Sequence, residues 1–305
     1  MKFSLQLPSG VIEPAGEFQT GAAIMEMASA IEAAGAQACW VTDHPAPDAA
    51  WVRDPSGHDA ADPFVVLTFA AAATTRLRLH TSVLILPYRN PFLTAKAVAT
   101  LEVMSGGRMI LGVGGGYLEG EFSALGVDFR RRGALLDEAL ETMMAAWSGE
   151  SVVKKGQDFD ARGVLPRPHL PRPPAVWIGG SVDKTLDRVA KWGTGWNPVL
   201  GRGGGAFHQA QRPLESIADL KAMMVKLRGK LEAAGRTDTV DVCVNFAPAS
   251  GSSSSERTQH TLDRLGELAT AGVNWVAVSL PHPSRAGFLD EVRWFGAEVI
   301  ARADF

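Results

Sequence analysis

The side chains that could do chemistry fall at the ends of apolar runs. In "VTDH", Asp43 and His44 put a carboxylate and an imidazole side by side. In "MILGVGGGYLEGEF", an apolar run ends in Gly112, Gly114, Gly115 and Gly116, and Tyr117, Glu119 and Glu121 follow. His282 follows another such run near the C-terminus. Imidazole titrates near neutral pH, so a histidine among carboxylates and a phenol is equipped to give or take a proton. A lone histidine is more often structural, and its place at the end of a strand is what raises it to a candidate. His58, His169 and His208 read as solvated loop residues, while His80 and His260 lie inside elements.

The glycine stretch first reads as a dinucleotide turn, but its spacing fails. Gly112 and Gly114 fit G-x-G-x-x-G, whereas the third glycine position holds Tyr117. Two readings stay open for these glycines: a flexible strand-to-helix turn, or a floor that a flat ligand can approach closely. "WIGGS" ends a further run. Gly179, Gly180 and Ser181 there suit an anionic group at a helix start, or simply form a capped turn. No P-loop or nucleophile elbow is present. A pocket with a phosphate niche and few catalytic groups suits an organic cofactor that carries the difficult chemistry.

Positioning these groups falls to a repeating series of elements. Strand runs are read at 3–7, 38–42, 79–86, 108–113, 175–179, 195–199, 240–246 and 274–280. They are mostly continuous apolar runs, as strands buried on both faces should be. Helical patterns follow each, at about 20–34, 63–75, 91–105, 131–147, 182–192, 214–234, 256–271 and 285–302. Asp62-Pro63 and Asn90-Pro91 supply start signals, Ser181 precedes a helix with Asp183 in its first turn, and Gly35, Gly106 and Gly272 sit at helix ends. Eight strand-helix units predict one (β/α)8 barrel domain over residues 1–305, with a doubly wound sheet as the rival. The candidate groups then share the C-terminal face, where barrel enzymes carry their active sites. The long connections at 43–61, 149–174 and 201–213 are expected to extend over that mouth.

Composition narrows the classes. A net charge of −3 gives no basic field for nucleic acid or acidic membranes. The longest apolar stretch, 64–73, is too short to span a bilayer, and "MKFSLQLP" enters a strand rather than a leader. The expectation is a soluble cytoplasmic protein acting on a small molecule. The two cysteines, Cys39 and Cys243, fall in apolar runs and read as buried free thiols; no cysteine or histidine cluster has metal-ligand spacing.

Over nearly its whole length the chain resembles the bacterial luciferase-like monooxygenases and their flavin- or deazaflavin-dependent relatives. The segments that carry this are "GRMILGVGGGYLEGEFSALGVDFRRRGALLDEALETMMAAW", "TSVLILPYRNPFLTAKAVATLEVMSGGR", "VTDH" and "PAVWIGGS". The resemblance implies a cofactor ring across the barrel mouth, with Ser82 and Val83 forming a bulge with a cis peptide beneath it. Asp43 and His44 would lie beside the ring's redox edge, Gly114, Gly116 and Tyr117 would contact the ring, and Gly179, Gly180 and Ser181 would hold phosphate. Tyr117 departs from the Gly-Trp or Gly-Asn of many relatives. The branch resembled is that of coenzyme F420 enzymes, and the family implies homodimers. Hydride transfer between F420 and a small organic substrate is therefore expected. The alternatives are an FMN-dependent monooxygenase and a cofactor-binding barrel without turnover. The longer, anionic tail of F420 would need cations, for which Lys184, Arg202 and Arg285 are the expected sources.

Overall fold

The computed structural model describes residues 1–11, 16–54, 57–201 and 212–304. Its centre is a closed parallel barrel of β1 (Lys2–Gln6), β2 (Ala38–Val41), β3 (Arg78–Ile85), β4 (Met109–Gly114), β7 (Ala175–Gly179), β8 (Gly195–Asn197), β9 (Asp241–Phe246) and β10 (Trp275–Val278). Neighbours round the barrel are neighbours in the chain, and β1 closes against β10 with Lys2 opposite Trp275. The doubly wound alternative is thereby excluded.

The main helices are α1 (Gly21–Ala33), α3 (Pro63–Ala73), α4 (Pro91–Met104), α6 (Arg132–Trp147), α7 (Asp183–Trp192), α8 (Ile217–Ala233), α9 (Ser254–Thr270) and α10 (Arg285–Trp294). Two short helices add to the expected elements: α2 (Ala49–Arg53), inside the connection at 43–61, and α5 (Glu119–Ala124), between β4 and α6. The starts of α3 and α4 are held as their sequence implies. Asp62 accepts from the N–H of Phe64 at 2.9 Å, and Asn90 from the N–H of Phe92 at 3.0 Å, each with proline at the first turn. Gly35, Gly106 and Gly272 all take positive φ at helix ends.

Two expectations change. Ser181 does not cap α7: Val182 holds that position without a side-chain bond. The Ser181 hydroxyl instead donates to Val199 O at 3.1 Å and accepts from Val199 N–H at 2.9 Å, tying the ends of neighbouring strands. Residues 149–174 do not cover the mouth either. They join a helix to a strand, and contain an antiparallel hairpin, β5 (Val152–Lys155) with β6 (Asp160–Val164). The hairpin runs up the outside of α6 through Lys154–Glu141, Gln157–Glu138 and Arg131–Asp158 contacts, and Phe159 meets Phe92 at the start of α4.

The lower barrel interior is filled by Trp40, Ile110, Trp177, Cys243 and Trp275 with Ala38 and Ala277. Such bulk is accommodated by small neighbours. Trp177 lies in register between Gly112 on one side and Gly195 on the other, and a Cβ on Gly195 would overlap its indole. A Cβ on Gly112 would overlap the Thr81 carbonyl oxygen, because β3 leans across β4 where its register shifts between Thr81 and Leu84. The Ser82–Val83 peptide within that shift is cis. His80 packs its ring on Trp177 at 4.7 Å and shares a hydrogen bond with Ser4 at 3.2 Å. Cys39 and Cys243 are both buried free thiols, and burial pushes each pKa up, that of Cys39 to about 12.

Candidate active site

Above this packed interior the barrel opens into a cavity of about 460 Å³ at the C-terminal ends of the strands. The volume is in the range of small-molecule sites. Ser82, Val83, Gly114, Gly116, Tyr117, Gly179, Gly180 and Ser181 all line it, joined by Asn197 and Asn245. The glycines do different jobs. A Cβ on Gly114 would stand 2.7 Å from Val83, and one on Gly116 (φ +72°) would stand 2.7 Å from Phe122 and 2.8 Å from Ile85. Gly179 would meet both Val113 O and Val83 at 3.1 Å. These positions are closed by packing. Gly115 alone of the run faces open space, its nearest neighbour being Leu136 at 3.9 Å. Asn197 donates to Ser82 Oγ at 3.3 Å across the floor.

Beside the cavity, three side chains from two strand ends meet. His44 Nδ1 lies 3.3 Å from both carboxylate oxygens of Glu121, and His44 Nε2 lies 3.4 Å from Tyr117 Oη. Glu121 is buried on α5 and also accepts from the Ala46 N–H at 3.4 Å. A carboxylate on Nδ1 fixes the Nδ1–H tautomer, leaving the Nε2 lone pair toward the phenol. Burial, and after it the charge of Glu121, pushes the Tyr117 phenol above its ordinary value, so it keeps its proton. The segment after β2 folds over this group. The Trp51 ring lies 5.4 Å from His44 and 5.6 Å from Tyr117, and the His58 ring lies 4.9 Å from His44. Trp51 Nε1 donates to His58 O at 3.1 Å, pinning the cover. A Cβ on Gly120 would overlap the Asp48 carboxylate, which shows how closely the cover lies on α5.

Asp43, expected beside His44 as a catalytic group, faces elsewhere. Its oxygens accept from Arg89 Nη2 at 2.7 Å, Arg89 Nε at 3.3 Å and the Ile85 N–H at 2.9 Å. Burial raises its pKa, opposed by the Arg89 charge and these bonds. It does not line the cavity, and its geometry is that of a brace between β2 and β3. Glu119 is exposed, and His282 bonds to Leu280 O at 2.8 Å; neither joins the site.

The cations also differ from expectation. Lys184 is exposed, Arg285 pairs with Glu26 at 3.2 Å, and Arg202 lies outside the described residues. The cavity wall instead carries Arg130, Arg132, Arg188 and Arg212. Arg188 is bound to Asp137 at 2.6 Å, and Arg132 stacks on Phe129 at 3.8 Å while donating to its carbonyl at 3.1 Å. The backbone niche at "IGGS" is partly engaged, since Gly180 N–H bonds to Asn197 O at 3.0 Å. A signal for the arginine wall was present in "FRRRG", just after the glycine strand end. Trp51 and Arg89 carried no local signal. Among the described residues, no group of three or more metal-ligating side chains occurs, and no helix is long and apolar enough to cross a membrane.

The model of the luciferase-like monooxygenases matches residues 1–293. The chain belongs to that family. An F420-dependent glucose-6-phosphate dehydrogenase of Kineococcus radiotolerans is 34% identical over 73% of this chain and 64% of its own length, so the chain spans just under two thirds of that relative. An uncharacterised protein of Mycobacterium tuberculosis is 32% identical over 86% of each chain. Among solved structures, a monooxygenase of Streptomyces bottropensis superposes with a TM-score of 0.78 at 19% identity over 99% of each chain. An F420-dependent secondary alcohol dehydrogenase superposes with a TM-score of 0.76 at 17% identity, again over 99% of each. These two structures speak to the fold.

Proposed function

We propose that the protein is an oxidoreductase that moves a hydride between coenzyme F420 and a small organic substrate. The observation that carries this is the glycine-floored cavity with a buried imidazole, carboxylate and phenol set against its edge. The cavity fits a flat, phosphorylated cofactor. Val83, Gly114, Gly115 and Gly179 give the floor an apolar stretch beside the Asn197–Ser82 pair, and the arginine wall offers charge to a phosphate or an acidic tail. A bound deazaflavin would supply the hydride chemistry. The chain's own task is to hold it and to move the accompanying proton through His44, which Trp51 packs against. Asp43 would act as a brace for β3 below the ring. The F420-dependent dehydrogenase among the relatives supports the cofactor.

The test is a titration of the purified protein with F420 and with FMN, followed by reduction of F420 with glucose 6-phosphate and with propan-2-ol as donors. Tighter binding of F420 and donor-dependent loss of its absorbance are expected. Tighter FMN binding with oxygen consumption on turnover would promote a monooxygenase, and binding of neither would remove the reading.

A further inference from the structure

We infer that Tyr117 is the residue that exchanges a proton with the substrate, and that His44 acts behind it as the proton acceptor poised by Glu121. The inference rests on the oxidoreductase reading above. Three observations carry it. Tyr117 lines the cavity and His44 does not. Both imidazole nitrogens are already engaged inside the protein, Nδ1 by Glu121 and Nε2 by Tyr117 Oη. Trp51 and His58 pack on the imidazole from other directions, so the phenol is its route to the cavity.

The arrangement fits a substrate that interconverts carbinol and carbonyl, because there a proton must leave oxygen as hydride leaves carbon. In the oxidising direction, a bound deazaflavin would supply the acceptor for the hydride of the substrate's C–H bond, while the substrate's O–H bond gives its proton to Tyr117 Oη. Tyr117 passes its own proton to His44 Nε2. The C=O bond forms, the phenol ends neutral, and the imidazolium that results lies 3.3 Å from the Glu121 carboxylate. Reduction runs the same transfers backwards. A phenol that stays protonated at rest is suited to this exchange, since it donates only as it receives. Glu121 is a positioning residue in this scheme: it sets the tautomer and stabilises the charged ring.

Two measurements decide it. In the ligand-free protein, ¹⁵N NMR of His44 should show Nδ1 protonated and Nε2 bare but hydrogen-bonded. Tyr117→Phe should move the Nε2 resonance toward that of a free imine nitrogen, and Glu121→Ala should lose the single tautomer. In turnover with F420 and either donor, Tyr117→Phe and His44→Asn should each lower kcat by about 10²–10⁴-fold, with F420 affinity and donor KM changed less than about threefold. The double variant should lose no more than the worse single one, since the two act as a unit. A Tyr117→Phe protein that turns over normally while His44→Asn is dead would show that the imidazole reaches the substrate directly. An unchanged Nε2 resonance in Tyr117→Phe, or an Nε2–H tautomer in the parent, would overturn the inference without any cofactor. A parent that binds neither F420 nor FMN would instead remove the reading on which it rests.

Discussion

Glycine is used at both ends of this barrel, for opposite ends of its chemistry. In the lower interior, Gly112 and Gly195 flank Trp177 in register, and their missing side chains are replaced by the indole and by the β3 backbone. At the mouth, Gly115 faces open space and lines the cavity. The two histidines divide in the same way. His80 is sealed among Trp177 and Ser4, and burial, with Arg78 second, pushes its pKa down to about 3. It is a neutral packing group. His44 is buried too, yet it is bonded to a carboxylate and to a phenol that reaches the cavity. Burial alone therefore does not mark function here. What separates the regions is whether the polar group lies within reach of a space that a ligand could fill.

The largest expected effect breaks the comparison at its glycines. Gly112→Ala drives a methyl into the Thr81 carbonyl, where backbone rather than a flexible side chain must give way. It should destabilise by about 3 kcal/mol or yield no folded protein. Gly115→Leu projects into the cavity from a position with room for a Cβ; it should melt within a few degrees of the parent and lose measurable F420 binding. Gly180→Leu is a poorer probe, because Gly180 has φ +122° and any side chain there is strained whatever the ligand does. Equal melting temperatures for Gly112→Ala and the parent, measured by calorimetry, would remove the distinction between a packed and an open glycine.

The second effect separates the histidines by pH. Folded His80 takes its proton only near pH 3, whereas in the unfolded chain it does so near pH 6.5. Between those values the unfolded state holds the extra proton, so stability is full above the window and falls as pH drops through it. At pH 4 this group should cost about 3 kcal/mol relative to pH 7. His80→Leu removes the titration. Its urea midpoint should therefore fall less steeply between pH 7 and pH 4 than the parent's, although it starts lower because Ser4 loses its partner. Parallel acid limbs would mean that the ring is not held neutral.

These regions also differed in how much of them could be read beforehand. The barrel strands were legible because parallel strands buried on both faces must be apolar runs, and AVWIG at 175–179 is observed with those bounds. Helix starts at Asp62 and Asn90 were legible because a cap and a proline act within three residues. The hairpin at 152–164 was not, because "VVKK" and "DARGV" are short, mostly exposed strands on the outside of α6 that bury only Val152 and Ala161, too few for an alternating pattern to announce them. Glu121 was visible as one of several groups after β4, but its choice over Glu119 depends on which face of α5 turns inward. Asp43 looked catalytic by adjacency to His44. Adjacent residues of an extended segment point apart, and the partner it found, Arg89, lies on another strand's loop. Partner choice among charges is settled by tertiary contact, which spacing along the chain does not record.

The smallest expected effect concerns the cationic wall, where the cavity's charged side can be compared with the surface outside it. Four arginines line the cavity, but their charges are not equally available. Arg188 is already matched by Asp137 at 2.6 Å, and Arg130 is 91% exposed with Asp128 at 3.6 Å. Arg132 is given a neutral acceptor, the Phe129 carbonyl, and a ring face. Of these three, its charge is the best placed to meet an anionic cofactor group. Arg132→Ala should weaken F420 binding by about two- to fivefold, the scale of a partly exposed charge contact, and the loss should shrink as salt is raised. Lys184→Ala, on the exposed outer side of α7, should leave affinity unchanged. Titration of both variants at low and high salt checks this. If Lys184→Ala proves as damaging as Arg132→Ala, the acidic tail leaves the mouth along α7 rather than along the wall at the start of α6.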